Sequence, residues 1–278
     1  MKIRRVVVAV AAVSVGALGV PAAASASGSS PDAVGLAGAG TSLVRFDTDR
    51  PEKAKRIAAV RGLSGDTALV GIDRRVQNGK LYGVGNQGGI YTLSSRTARA
   101  TKVGQLSVAL AGTAFGVDFN PAANALRIIS NTGQNLRQPF GTTDGPTVPT
   151  VVDGTLNYLA VTAAGVSGAA YTNNDLNADT ATSLFDLDTA LDQVALQSPA
   201  NSGSLAATGK LGVDAGTDAG FDIYSDLRRG TTVSVAGYAT LSVGGRTGLY
   251  AVNLLTGDVA LEGHFASAVT DLAVDLDR

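Results

Sequence analysis

The chain has 278 residues, with 22 Lys+Arg against 23 Asp+Glu, one histidine, no cysteine and Met1 as its one methionine. A chain without cysteine has no disulfide, no thiolate nucleophile and no cysteine-held metal. Loss of Met1 would also exclude methionine-ligated haem. The 35 glycines and few aromatic residues suit many short strands and tight turns.

The N-terminus reads as a secretory signal. Lys2, Arg4 and Arg5 precede an apolar run over 6–20, Pro21 breaks it, and Ala24-Ser25-Ala26 fits the small-x-small cleavage rule. Residues 1–26 would be removed, 27–32 form a short leader, and 33–278 form one domain. The apolar run is short for a spanning helix. The processed chain then carries 19 basic and 23 acidic residues, a formal charge of −4 with no basic run. This balance argues against a nucleic-acid partner or an anionic membrane surface. The expected product is a secreted bacterial monomer, not inserted in the membrane after cleavage, that meets an extracellular ligand.

Residues 33–39, 42–47 and 55–60 read as three strands. A strand of the form apolar-apolar-polar-apolar-polar recurs at 43–47, 90–94, 184–188 and 249–253, with a degenerate copy at 135–140. A second type ends in aspartate: 70–73, 116–118, 220–222 and 273–275. It precedes the first type by roughly 20–30 residues, which makes a unit long enough for a four-stranded propeller blade. The most complete unit runs from Gly116-Val117-Asp118-Phe119-Asn120-Pro121, through a turn, into the β-branched strand 126–129. Asn131-Thr132-Gly133 turns it again. Gly83-Val84-Gly85-Asn86-Gln87-Gly88 matches G-x-G-x-x-G, but it lies between two strands with no helix to follow, so it reads as a hairpin turn. Residues 52–59 and 180–191 have some helical composition amid turn residues and β-branched neighbours.

The chain closes on an aspartate-ended strand with nothing after it, and opens on three strands that lack one. Together they make one blade. The expected fold is therefore an all-β, five-bladed β-propeller with a 1+3 closure of the ring. The third blade could begin at 156–161 or at 166–171, and neither carries the aspartate. Six blades would follow if 148–158 formed its own sheet. A β-sandwich is the other alternative.

The segments GVDFNPAANALRIISNTGQNLR (116–137), AAYTNN (169–174), SLFDLDT (183–189), LQSPANSGSL (196–205) and LGVDA (211–215) resemble the DUF4394 family. These are exported, propeller-like proteins without an assigned activity. The resemblance spans about residues 34–276. It implies the fold and export, and it implies no chemistry.

The residues offer two candidate sites. Asp73, Asp118, Asp222 and Asp275 recur at one strand end, so they could ring a channel mouth and hold a cation or a polyhydroxy ligand. Alternatively each accepts backbone N–H groups at a turn and locks its blade. The set Asn131, Gln134, Asn135 and Arg137 could bind a sugar or carboxylate, or satisfy itself as a turn network. Asp175, Asn177 and Asp179, with Asp186 downstream, space oxygen atoms like part of a calcium loop. Thr180 stands where such a loop needs glycine, and Asp186 where it needs glutamate. Beyond calcium at that loop, no cofactor is expected. His264 would have to serve any Ser-His-Asp triad, and no G-x-S-x-G elbow supplies the serine. Three functions follow in order: a non-catalytic binding or scaffold module for a glycan or cell-wall component, a hydrolase or lyase using channel carboxylates, and a structural extracellular protein.

Overall fold

The computed structural model describes residues 30–277, so the signal-peptide reading falls outside it. Three strands come first: β1 (Asp32–Ala37), β2 (Ser42–Asp47) and β3 (Lys55–Ala59). Blade one follows as β4 (Leu69–Arg75), β5 (Lys80–Gly85), β6 (Gly89–Leu93) and β7 (Ala100–Gln105). Blade two is β8 (Phe115–Asn120), β9 (Ala125–Ser130), β10 (Asn135–Pro139) and β11 (Val151–Val152). A small hairpin, β12 (Asn157–Tyr158) with β13 (Val161–Thr162), stands apart. Blade three is β14 (Val166–Tyr171), β15 (Leu184–Asp188), β16 (Gln193–Gln197) and β17 (Leu205–Lys210). Blade four is β18 (Gly220–Arg228), β19 (Thr231–Val243), β20 (Arg246–Val252) and β21 (Val259–His264). The last strand, β22 (Val269–Val274), pairs antiparallel with β1 and completes blade five in the order β22-β1-β2-β3.

Each sheet is antiparallel and runs outward from one innermost strand: β4, β8, β14, β18 or β22. These five strands neighbour one another in a closed ring, so the architecture is a five-bladed β-propeller. The 1+3 closure is present as the chain ends require. Five blades, not six, form because 148–158 contributes only β11 and half of the small hairpin. Blade three begins at β14. The strand 184–188 takes second place in its blade, whereas its sequence counterparts 43–47, 90–94 and 249–253 take third place. Among the described residues helix is confined to two single turns, Pro51–Lys53 and Ala200–Ser202. Among the described residues no helix is long and apolar enough to cross a membrane.

Local sequence explains the turns. Asn120 Oδ1 accepts the Ala123 N–H at 2.8 Å, which folds the Asn-Pro turn back into β9. Gly133 takes φ +86° in the next turn, a conformation open to glycine at no steric cost. The G-x-G-x-x-G run joins β5 to β6 as a hairpin.

The core is five clusters, one at each joint between blades. Val34, Leu36 and Leu43 meet Ile72 and Tyr91 at the five–one joint. Tyr82, Phe119 and Phe140 pack edge to face at the one–two joint, with centroids 5.1–5.7 Å apart. Ile129 meets Ala169 and Tyr171 at the two–three joint, Leu187 meets Phe221 and Leu241 at the three–four joint, and Leu249 meets Phe46 and Val274 at the four–five joint. Stability is thus distributed around the ring, each blade burying one face on each neighbour.

Candidate functional site

The innermost strands set the geometry of the axis. Bonds across the joints, from Asp73 to Phe119, Asp118 to Tyr171 and Asp222 to Val274, put Asp73, Asp118, Ala170, Asp222 and Ala273 at corresponding places on the five strands. Two residues earlier on each strand stand Gly71, Gly116, Gly168, Gly220 and, in blade five, Asp271. Glycine is required there by proximity. A Cβ on Gly116 would lie 2.5 Å from Ala169 N, and one on Gly220 would lie 2.3 Å from Asp271 Cα. At the two–three and four–five joints the innermost strands therefore touch backbone to backbone, whereas at Gly71 and Gly168 a Cβ would meet the Val117 and Phe221 side chains. Gly116→Ala is expected to lower stability by about 1–3 kcal/mol by overpacking. Equilibrium urea unfolding measures this, and an unchanged midpoint would contradict the contact.

The aspartates bind across the joints. Asp73 Oδ2 accepts the Phe119 N–H at 2.7 Å, Asp118 Oδ1 the Tyr171 N–H at 3.0 Å, and Asp222 Oδ2 the Val274 N–H at 2.6 Å. Asp271 Oδ2 accepts the Ile72 N–H at 2.7 Å, one step lower on the same axis. Each carboxylate thus ties its strand to the next blade and supplies an acceptor to an otherwise unpaired donor. This is the locking role, exercised between blades and not at a turn within one.

The same arrangement gathers charge. Asp73, Asp118 and Asp222 each place an oxygen within 4.8 Å of the others, and all three are buried. Burial first, then like charge, holds the Asp73 and Asp118 carboxyls well above the usual range. Asp271 is raised well above it mainly by burial, with Asp222 adding repulsion. Asp222 is raised by burial to about 6, opposed by its two N–H donors and by Arg74. Three close carboxyls in this setting can share protons or embrace a cation.

Asp275 does not join them. It lies past the end of β22 and is paired with Arg74 and, at 2.5 Å, with Arg45, which also reaches Asp32 at 3.3 Å. Asp271 is the blade-five carboxylate of the axis. Its only sequence signal is its spacing, four residues before Asp275 on the same strand face.

The polar set 131–137 is turned inward. Asn131 Oδ1 accepts the Thr113 N–H at 3.0 Å, and Gln134 Oε1 accepts the Ala111 N–H at 2.9 Å, so both pin the segment entering blade two. Asn135 accepts from Arg127 at 2.7 Å and donates to Gly154 O. Arg137 forms a two-point pair with Asp153 at 3.0 and 3.1 Å. These residues form a self-satisfied network and not an open ligand loop. At its centre is Arg127, 1% exposed, which donates to Tyr171 Oη, Asn135, Asp153 and Asn201.

The calcium-loop spacing does not assemble. Asp175 accepts the Asn177 N–H at 2.9 Å, and the Thr232 N–H and Oγ1 at 2.9 and 2.7 Å, which braces the β18–β19 hairpin. Asn177 donates to Thr231 Oγ1 and accepts from Asp179 N–H, and Asp179 is exposed. Asp186 sits inside blade three, fully buried, with its charge environment set by Arg127 and Asp188, and neither oxygen has a hydrogen-bond partner among the described residues. His264 ends β21, and its buried Nδ1 has no partner among the described residues.

Fold and axis together define a five-bladed propeller with a carboxylate-stapled centre. The chain belongs to the family described as a domain of unknown function (DUF4394), whose profile matches residues 42–273. No curated protein matches it. It is similar to a structural-genomics protein of unknown function from Bacteroides thetaiotaomicron VPI-5482 (13% identity, TM-score 0.49, covering 90% of this chain and 66% of that one). It is also similar to an auxiliary nutrient binding protein from Bacteroides ovatus ATCC 8483 (14%, 0.44, 72% and 50%), and to a chain of a nidogen/laminin complex (10%, 0.47, 88% and 98%). The chain spans less than two thirds of the first two.

Proposed function

We propose that the protein is an exported, non-catalytic binding propeller that recognises an extracellular ligand at its surface. The observation that carries this reading is the closed axis. Asp73, Asp118, Asp222 and Asp271 are buried and committed to backbone donors of the neighbouring blades. Their burial and these bonds count against a hydrolase or lyase built on these carboxylates. A triad on His264 lacks the carboxylate that would orient its Nδ1. Glycine contacts and carboxylate staples make a rigid support, and rigid supports carry recognition on their outer loops and edges. The Lys2–Ala26 pattern supports export.

The test is a thermal-shift screen of residues 27–278 against neutral and acidic wall glycans and calcium. A ligand that binds only the native state raises the melting temperature by mass action. A saturable shift with a glycan left chemically intact supports the reading. Turnover of that glycan, or no shift with any ligand, overturns it.

A further inference from the structure

Positive charge is segregated on this molecule. Residues 30–102, which make blade one and three strands of blade five, hold 12 Lys+Arg and 6 Asp+Glu; residues 103–278 hold 7 and 17. The formal charge is thus +6 on one portion and −10 on the other, hidden within an overall value near neutrality.

The surplus lies along one furrow at the five–one joint. Three adjoining clefts, of about 630, 750 and 700 Å³, lie on these two blades, lined by residues of β1 to β7, and the acidic residues in their lining, Asp32 and Asp47, are paired with Arg45 and Arg50. Ser95 and Arg96 line both the first and the second, and Thr97, Arg99 and Thr101 line both the first and the third, so the three form one continuous track. Lys53, Lys55, Arg56, Arg96, Arg99 and Arg61 follow it in turn. All six are exposed, and none has a side-chain hydrogen bond or ion pair among the described residues. Backbone bonds fix the two walls against each other: Arg61 N–H to Ala98 O at 3.2 Å and Ala100 N–H to Arg61 O at 2.7 Å. Charge that merely guards sheet edges would be spread over all five. Instead the outer strands β11, β17 and β21 carry no basic residue but Lys210 and His264, whereas β3 alone carries Lys55 and Arg56.

We propose that this track binds a linear acidic polysaccharide, with uronate carboxylates on the guanidinium groups and sugar hydroxyls on the threonines and serine between them. The inference rests on the binding-propeller reading and names its ligand class. A planar guanidinium matches a carboxylate through two parallel N–H donors. Thr92, Ser95, Thr97 and Thr101 interleave with the cations, and their hydroxyls donate to no other group among the described residues. Alternating cation and hydroxyl suits a chain that itself alternates charge and hydroxyl. A single-stranded nucleic acid would need exposed rings to stack on, and the aromatic side chain in the lining, Phe46, is buried. A membrane surface would need apolar side chains to insert, and the large exposed hydrophobic residues, Val148 to Leu261, all lie outside residues 30–102.

The test uses residues 27–278 on immobilised polygalacturonate, with dextran, polyphosphate and single-stranded DNA in parallel. Binding is expected to polygalacturonate and not to dextran, and to weaken as salt rises. Arg96→Glu with Arg99→Glu should weaken it by about tenfold or more. Arg228→Glu with Arg229→Glu makes the same change in net charge at exposed residues away from the track and should change it by less than about twofold. Unchanged melting temperatures for both variants verify the fold. Equal losses in the two variants would overturn the proposal, as would tighter binding of polyphosphate or DNA. If dextran binds and polygalacturonate does not, this proposal fails while the binding-propeller reading stands; if nothing on this panel binds, this proposal fails and the thermal-shift screen above decides the binding-propeller reading.

Discussion

Replacing Arg127 by methionine will destabilise the protein by about 3–5 kcal/mol, as expected when one partner of a buried ion pair is removed. Arg127 is 1% exposed and its guanidinium serves four residues on four segments: Asn135 in blade two, Tyr171 and Asn201 on separate segments of blade three, and Asp153 in the connection between the blades. Methionine fills much of the volume and supplies none of the donors. Asp153, whose side chain is 6% exposed, would keep only Arg137, and the unpartnered Asp186 would lose the positive charge that favours its ionised form. Urea unfolding followed by circular dichroism measures the loss. A second substitution, Asp153→Asn, should restore part of it by removing the stranded charge. A loss below about 1 kcal/mol for Arg127→Met would mean the joint is held by its apolar cluster alone.

The second large effect is a stability profile tilted toward acid. Asp73, Asp118, Asp222 and Asp271 all hold their protons more tightly in the folded chain than an unfolded aspartate, whose value is about 3.9. A carboxyl raised on folding binds more protons in the native state than in the unfolded one, so stability falls as pH rises through the interval between the two values. For Asp222, raised to about 6, that interval spans roughly pH 4 to 6 and is worth on the order of 3 kcal/mol. The other three, raised in the same direction by burial, add to the decline. Asp47 and Asp175, whose values are lowered, pull the other way only below the ordinary carboxylate range. The melting temperature should therefore be higher at pH 5 than at pH 8 at fixed ionic strength, with each kcal/mol worth about 2–4 °C in a chain of this size. Asp118→Asn should flatten the profile and raise the pH 8 value. Its amide oxygen can still accept the Tyr171 N–H while one of three mutually repelling charges is gone. Stability that instead rises with pH in calcium, and falls when the metal is chelated, would mean the three carboxylates hold a cation.

Much of the ring was legible because it depends on local patterns. The strand alternation, the Asn120-Pro121 turn and the split blade are written in contiguous residues and in the unmatched strands at the two ends of the chain. The axis was half legible. Asp73, Asp118 and Asp222 share a sequence frame, but in blade five the same frame picks out Asp275. Side chains on a strand repeat every second residue, so Asp271 and Asp275 share a face, and only the pairing of β22 with β1 decides which reaches the centre. The strand 184–188 misleads for a related reason. The connection 172–183 delays blade three, so its second strand carries the motif that other blades place third. Asn131, Gln134, Asn135 and Arg137 looked available because their partners, among them Ala111, Asp153 and Ala200, lie on other segments. The basic track was invisible for the same cause: its residues come from two blades, and the acidic remainder conceals them in any whole-chain sum.

The split blade also sets an order of events in time. During synthesis β1, β2 and β3 emerge before the other four blades, yet their innermost partner β22 emerges only after all of them. Until then the blades form an arc, not a ring, with β1 exposing an unpaired edge and Val34, Leu36 and Ala273 not yet joined at the five–one joint. Arrival of β22 fills that edge and, in the same step, delivers the Val274 N–H to Asp222 and Asp271 to the Ile72 N–H. β22 is thus a latch carried only by a chain that extends through Val274. A chain cut short before Val269 remains an arc with an open β edge, accessible to proteases, so closure of the ring and resistance to degradation become one property.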